Sequence, residues 1–223
     1  MNWWSVGLLG GLVGLDATSF PQFMFSRPLI AGTLAGLLFG QPAEGMLIGA
    51  LIEIFDLGIL PVGAARYPDS GTATVVAASA YASAPLHALD PGLLLLAVML
   101  GLAWEVVTGT STVLLRRANE RLVLATPRWT GRPGRALERL HLTSIMLDFL
   151  RGGALAVLGT AVSAALMARA AGHWTLGSET ATSALTIAAA AVFGGLITIF
   201  GGWHDRRRSL LAGIACGSLL LFL

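Results

Sequence analysis

The sequence predicts an all-α membrane protein, a polytopic helical bundle whose N-terminal half contains a re-entrant hairpin or broken helices. Its 223 residues are 55% hydrophobic and only 12% charged, about half the charged share of soluble domains. The mean hydropathy is +0.76. These values exclude a soluble globular domain, a disordered chain and a nucleic-acid-binding domain. Cys216 is the single cysteine, so the chain is not a disulfide scaffold.

The first apolar run is expected to form a membrane helix that packs closely against a neighbour. Its glycines repeat at four-residue spacing, Gly7 with Gly11 and Gly10 with Gly14. In a membrane helix this small-residue pattern is typical of close helix contact. It does not indicate a nucleotide-binding loop.

Polar residues follow the first run and are candidates to line an opening into the protein. Asp16 ends the run, and Thr18, Ser19 and Gln22 come shortly after it. Asp16 and Gln22 are therefore second-tier candidates for binding a polar solute. Helix capping alone would also explain Asp16, and both interpretations stay open.

Two short apolar runs come next, residues 28–40 and 46–60, with a polar break at 41–45. Arg27 precedes the first run and Pro61 ends the second. Each run is short for a full crossing, which needs about 20 apolar residues. Short apolar segments interrupted by glycine and proline are typical of re-entrant hairpins and broken helices in transporters.

Two acidic residues lie within the second run. Glu53 and Asp56 are three residues apart, so they share one face of a helix. Ionisable groups inside a membrane usually face a cavity or pair with each other, and Arg27 and Arg66 are the candidate partners. Glu53 is either a ligand for a polar substrate or a structural counter-ion. For Asp56 we expect an interfacial role.

The polar segment 61–71 separates this run from the next apolar stretch. Its prolines and glycines make a helix unfavourable. Free carbonyls and amides at Gly63, Ala64 and Ala65 could exchange hydrogen bonds with the hydroxyls of a sugar. A solvent-exposed loop is the alternative.

Further stretches are apolar enough to span a membrane. Glu105 is the only charged residue in one of them, and we expect it to face the bundle interior or a subunit contact. The stretches are 70–89, 91–115, 152–168 and 180–204.

Two arginine clusters set the predicted topology. Residues 116–139 contain seven arginines and two glutamates, and residues 206–208 are all arginine. The positive-inside rule places both clusters in the cytoplasm. Two apolar segments, 141–168 and 182–203, lie between them, and two crossings return the chain to the same side.

The chain is accordingly divided into an N-terminal membrane half (1–115), a cytoplasmic arginine-rich loop (116–140) and C-terminal membrane helices (141–223). The loop has a single aromatic residue and lies between spans, which argues against nucleic-acid binding. The four histidines have no metal-ligand spacing, and no Walker motif is present. We therefore expect no metal, no cofactor and no enzyme activity in this chain.

The N-terminal half resembles the IIC membrane component of the mannose/fructose/sorbose family of bacterial sugar phosphotransferase systems. Order and spacing agree over roughly 55 residues. More weakly, Asp16, the arginine-rich loop, His141 and Arg151 also fit. The matching residues are Arg27-Pro28-Leu29, Gly40, Gly45, Gly49, Glu53, Gly58, Gly63-Ala64-Ala65 and Pro68-Asp69.

The resemblance implies a multi-pass subunit of the bacterial inner membrane that binds and translocates a hexose-type sugar. It implies an IID membrane partner and soluble IIA and IIB phosphocarriers, which supply the phosphoryl chemistry at the cytoplasmic face. It also implies a homo-oligomer, a trimer of IIC–IID units in the lipid bilayer. Substrate contacts are then expected from Glu53 and Asp69, with Arg27 anchoring the hairpin.

Several positions depart from the family pattern. Met24 and Ser26 stand where mannose-type members tend to carry Gln and His, and Arg66-Tyr67 replaces small residues. The chain ends at Leu223, where members usually continue with another apolar stretch. These differences motivate one alternative, a sugar-binding or regulatory membrane subunit that does not transport.

An ion-coupled carrier is the other alternative. It would use Glu53, Asp56 or Glu105 as the ion site and would transport without a phosphoryl donor.

Overall fold

The computed structural model describes residues 2–57, 68–84, 90–125, 133–170 and 176–199, together with positions 207, 208, 211, 212 and 215. This part of the chain contains seven α-helices and no strand, which confirms the all-α prediction. The helices are α1 (Trp3–Thr18), α2 (Pro28–Leu38), α3 (Pro42–Asp56), α4 (Ser70–Ala82), α5 (Pro91–Ala125), α6 (Pro133–Ala170) and α7 (Ser178–Ile199).

Three of the described helices are long and apolar enough to cross a membrane. The qualifying segments are Pro91–Leu124, Leu137–Ala170 and Ser178–Leu196. Helices α5 and α6 contain 35 and 38 residues, so each extends for more than 50 Å at about 1.5 Å per residue. The hydrocarbon core is about 30 Å thick, so both helices continue well beyond it.

The prediction that residues 70–89 span the membrane is wrong. Helix α4 ends at Ala82, and its 13 residues extend for only about 20 Å. The residues from Gly71 to Tyr81 are all buried. This segment is apolar because α4 lies in the middle of the bundle, packed on every side by other helices.

The predicted loop 116–140 is also largely helical. Helix α5 continues to Ala125 and α6 already begins at Pro133. Arginine, glutamate, leucine and alanine all favour helix, so the high charge marks where the helices leave the apolar part of the bundle and does not end them.

Glycines bring α1 and α6 into close contact, as their spacing predicts. A methyl group added at Gly11 would come within 2.6 Å of the Phe149 ring, and one added at Gly152 would lie 2.6 Å from the carbonyl oxygen of Gly10. Only residues without a side chain fit at this distance, which confirms the close packing of α1.

Glycines also join α2 and α3 into a tight hairpin. A methyl group at Gly36 would lie 3.1 Å from the Cα atom of Gly45, and one at Gly49 would lie 3.0 Å from the Cα atom of Leu29. The turn contains Gly40 at a φ of +74°, a conformation that glycine adopts without strain. The hairpin packs against α4, and this contact positions its acidic residues.

Candidate substrate cavity

A polar cavity of about 240 Å³ lies between the α2–α3 hairpin and the start of α4. We call it the hairpin cavity. The end of α1 and the loop before α2 complete its wall. Its polar lining includes Ser26, Arg27, Glu53, Asp56, Asp69 and Ser70. Four of these six residues carry a charge, so the cavity suits a ligand that both donates and accepts hydrogen bonds.

Arg27 and Glu53 form an ion pair across the open end of the hairpin. The Glu53 Oε1 atom accepts from Nε of Arg27 at 3.0 Å and also pairs with its Nη2. The Oε2 atom accepts from the backbone N–H of Leu29 at 2.9 Å. Glu53 therefore holds the start of α2, which supports the counter-ion interpretation. Its position in the cavity wall leaves a role as substrate ligand open.

Asp69 connects the cavity to a buried network. It is the N-cap residue of α4, and its Oδ1 atom accepts from the backbone N–H of Thr72 at 3.2 Å. Its Oδ2 atom accepts from Arg151 of α6 at 3.1 Å. The Asp69 carboxylate is thus already paired inside the protein, while the residue also lines the cavity.

Arg151 extends this network to a second carboxylate. Its Nε atom donates to Asp148 at 2.9 Å. The other oxygen of Asp148 accepts from the hydroxyl of Ser19 at 2.7 Å and is also bonded to Thr18. One guanidinium group therefore ties α4, α6 and the end of α1 together.

Asp148 was not among the site residues predicted from the sequence. The signal was present, because an acidic and a basic residue three apart within an apolar helix indicate a buried pair. Its partner Ser19 lies 129 residues away in the chain, and no local pattern reveals that contact.

Asp16 organises the loop that precedes α2. Its two carboxylate oxygens accept from the backbone N–H groups of Phe23 and Ser26, at 2.5 and 2.8 Å. Asp16 is 3% exposed. The loop it shapes includes Gln22 and Met24 at positive φ. Gln22 itself is exposed on this loop and does not line the hairpin cavity.

The carboxyl groups of Asp56 and Glu105 are neighbours at the inner side of the cavity. Glu105 is 4% exposed and Asp56 is half-buried. One oxygen of each has no partner among the described residues. Glu105 thus faces the bundle interior, as its isolation within the apolar stretch predicts, and Asp56 faces inward with it.

The remaining site candidates, Gly63, Ala64, Ala65 and Arg66, lie outside the described residues. The predicted pairing of Arg66 with an acidic residue therefore stays a prediction. Within the described part of the chain, no three histidine, cysteine or carboxylate side chains are arranged to hold a metal ion. The described lining of the hairpin cavity offers charged groups and hydrogen-bonding atoms.

Known proteins resemble this chain along most of its length. Residues 1–201 match the family described as the sorbose-specific IIC component of the phosphotransferase system. The mannose-specific EIIC component of Escherichia coli K12 is 30% identical over 140 residues, which cover 61% of this chain and 50% of that protein. The chain thus spans about half the length of the curated relatives it matches.

Two solved structures share the fold. One, described as a membrane protein, has a TM-score of 0.68 at 20% identity and covers 96% of this chain and 85% of its own. The other is the mannose transporter ManYZ in complex with microcin E492, with a TM-score of 0.50, 21% identity and the same coverage. At these identities the likeness concerns the fold.

Proposed function

The chain belongs to the sorbose-specific IIC family of the phosphotransferase system, and we propose that it is the subunit that carries a hexose-type sugar across the membrane. The observation that supports this most is the hairpin cavity, where Arg27, Glu53, Asp56 and Asp69 converge beside the hairpin. Sugar hydroxyls both donate and accept hydrogen bonds, and this lining offers both kinds of partner.

Within this proposal Glu53 has two tasks. Its carboxylate holds Arg27 and the start of α2, and an ionised carboxylate has about four lone-pair sites, so it can still accept from a sugar hydroxyl. Asp69 contributes to the cavity wall while Arg151 fixes its position. Asp16 acts indirectly, by shaping the loop that carries Gln22 and Ser26. The backbone groups of Gly63, Ala64 and Ala65, which lie outside the described residues, stay candidates for contact with the sugar.

The hairpin of α2 and α3 is, in this proposal, re-entrant. Its helices contain 11 and 15 residues, about 17 and 23 Å, and each is shorter than a membrane crossing. The subunit works in the bacterial inner membrane with an IID partner, as a trimer of IIC–IID units. The IIA and IIB proteins supply the phosphoryl group.

The test is sugar uptake by the chain co-expressed with its membrane and soluble partners. Labelled hexoses are offered with and without phosphoenolpyruvate, and uptake and sugar phosphate are measured. We expect the substitution Glu53→Gln to abolish uptake while the protein still inserts in the membrane. Glu44→Gln is the matched control, because Glu44 lies on the same helix outside the cavity. Wild-type uptake by Glu53→Gln would contradict the proposed role.

The neighbouring carboxyl groups of Asp56 and Glu105 favour a second candidate, an ion-coupled carrier. In that carrier the two carboxyl groups would bind the coupling ion. The same assay separates the candidates. Uptake that requires an ion gradient and proceeds without phosphoenolpyruvate would favour the carrier.

A further inference from the structure

A second polar cavity, of about 280 Å³, lies between the end of α1 and the facing stretches of α5 and α6. We call it the α5–α6 cavity. It is separate from the hairpin cavity, and the proposed sugar site uses none of its residues. Its polar lining includes Ser19, Thr112, Arg116, Asn119, His141 and Asp148.

The two cavities lie about one helical turn apart. Thr108 donates to the backbone carbonyl of Asp69 at 3.0 Å, and Thr112 donates to the backbone carbonyl of Thr108 at 3.1 Å. Four residues correspond to about 6 Å along α5. Arg151 bonds to Asp69 on one side and to Asp148 on the other. The α5–α6 cavity is therefore displaced from the hairpin cavity toward the arginine-rich, predicted cytoplasmic end of α5.

Two side chains in this cavity are suited to binding an anion. The side chains of Arg116 and His141 are exposed, and neither has an ion-pair partner among the described residues. Guanidinium and imidazole N–H groups bind phosphate oxygens well. Arg151 offsets part of the negative charge of Asp148, and Ser19 and Thr18 donate hydrogen bonds to the same carboxylate.

A third group requires a hydrogen-bond donor. The Oδ1 atom of Asn119 is buried and has no partner among the described residues. Buried polar atoms of this kind are nearly always satisfied, and a hydroxyl group would satisfy it. The cavity thus combines groups for an anion with a group for a hydroxyl.

We propose that the α5–α6 cavity binds the phosphate monoester of a small polyol, that is, a sugar phosphate. Arg116 and His141 hold the phosphate, and Asn119 accepts from a sugar hydroxyl. The nature of the sugar part rests on the proposed function, in which phosphorylated sugar leaves on the cytoplasmic side. Phosphate binding itself stands on the cavity alone.

The test is equilibrium binding to the full chain in nanodiscs of neutral lipid, by isothermal titration calorimetry. The probes are mannose 6-phosphate, mannose and inorganic phosphate. We expect mannose 6-phosphate to bind, and Arg116→Gln to weaken it about tenfold, the scale of a charge-assisted hydrogen bond. Arg117→Gln removes the same charge from the next position, outside the cavity lining, and should leave binding within twofold.

Asn119→Ala separates the two halves of the proposal. It should weaken the binding of mannose 6-phosphate and leave the binding of inorganic phosphate unchanged. Equal losses of affinity in Arg116→Gln and Arg117→Gln would mean that diffuse charge attraction holds the phosphate, and this result would overturn the proposal. The proposed contact with the sugar would be overturned if inorganic phosphate bound as tightly as mannose 6-phosphate and Asn119→Ala changed neither affinity. Glu53→Gln should keep ester binding while losing uptake, so the two proposals can fail separately.

Discussion

Two ionic clusters border the hairpin cavity, and they differ in burial. The side chains of Arg27 and Glu53 are 51% and 19% exposed, whereas those of Arg151 and Asp69 are 8% and 3% exposed. An exposed pair is screened by water and exchanges partners easily. A buried pair is costly to break, because the remaining charge stays desolvated. The hairpin side can therefore respond to a ligand, while the α4–α6 side is a fixed support.

The largest effect is expected from removing the buried cation. Arg151→Met leaves Asp69 and Asp148 without their shared partner and should lower the free energy of unfolding by about 3–5 kcal/mol. Chemical unfolding in detergent measures it. Arg169→Met is the control, since Arg169 is exposed on the same helix and should change stability by less than about 0.5 kcal/mol. Equal losses of stability in the two variants would contradict the stabilising role of the Arg151 network.

The next effect tests how tightly the hairpin is built. Gly45→Ala places a methyl group 2.8 Å from the Cα atom of Gly36, and overpacking of this kind costs about 1–3 kcal/mol. Gly194→Ala in α7 meets nothing within 4 Å and should stabilise the helix by about 0.5–1 kcal/mol. The same unfolding assay compares them. A stable Gly45→Ala protein would contradict the close contact of α2 with α3.

The smallest effect on stability is expected at the exposed pair. Arg27→Gln should cost less than about 1 kcal/mol, because water replaces the lost partner of Glu53 and the Leu29 N–H remains bonded to it. Sugar uptake should nevertheless fall at least several-fold. If Arg27→Gln destabilises the protein as much as Arg151→Met, the distinction between the two clusters is wrong.

Local sequence patterns predicted much of the fold. The apolar stretches identify α5, α6 and α7, and the glycine spacing identifies the packing face of α1. Helix α4 was misread as a span because a helix buried on all sides is as apolar as one in lipid. The arginine-rich stretch was misread as a loop because charge indicates exposure and does not by itself end a helix.

The site divides in the same way. The ion pair of Arg27 with Glu53 was predictable, since Arg27 precedes the first short apolar run and Glu53 is an acidic residue within the second. The pairing of Arg151 with Asp69 spans 82 residues of sequence and depends on how α6 packs against α4. The loop amides that bind Asp16 belong to a backbone shape that side-chain types do not encode.

The central claim is that the hairpin cavity is where the sugar binds. The most direct measurement is thiol labelling of a Ser26→Cys, Cys216→Ser protein in membranes, because Ser26 lines the cavity. The hexose identified by uptake should slow maleimide labelling several-fold at position 26. It should have no effect on a Ser178→Cys, Cys216→Ser protein, whose thiol lies at the exposed start of α7. If a transported sugar does not change the rate of labelling at position 26, the result would contradict the account.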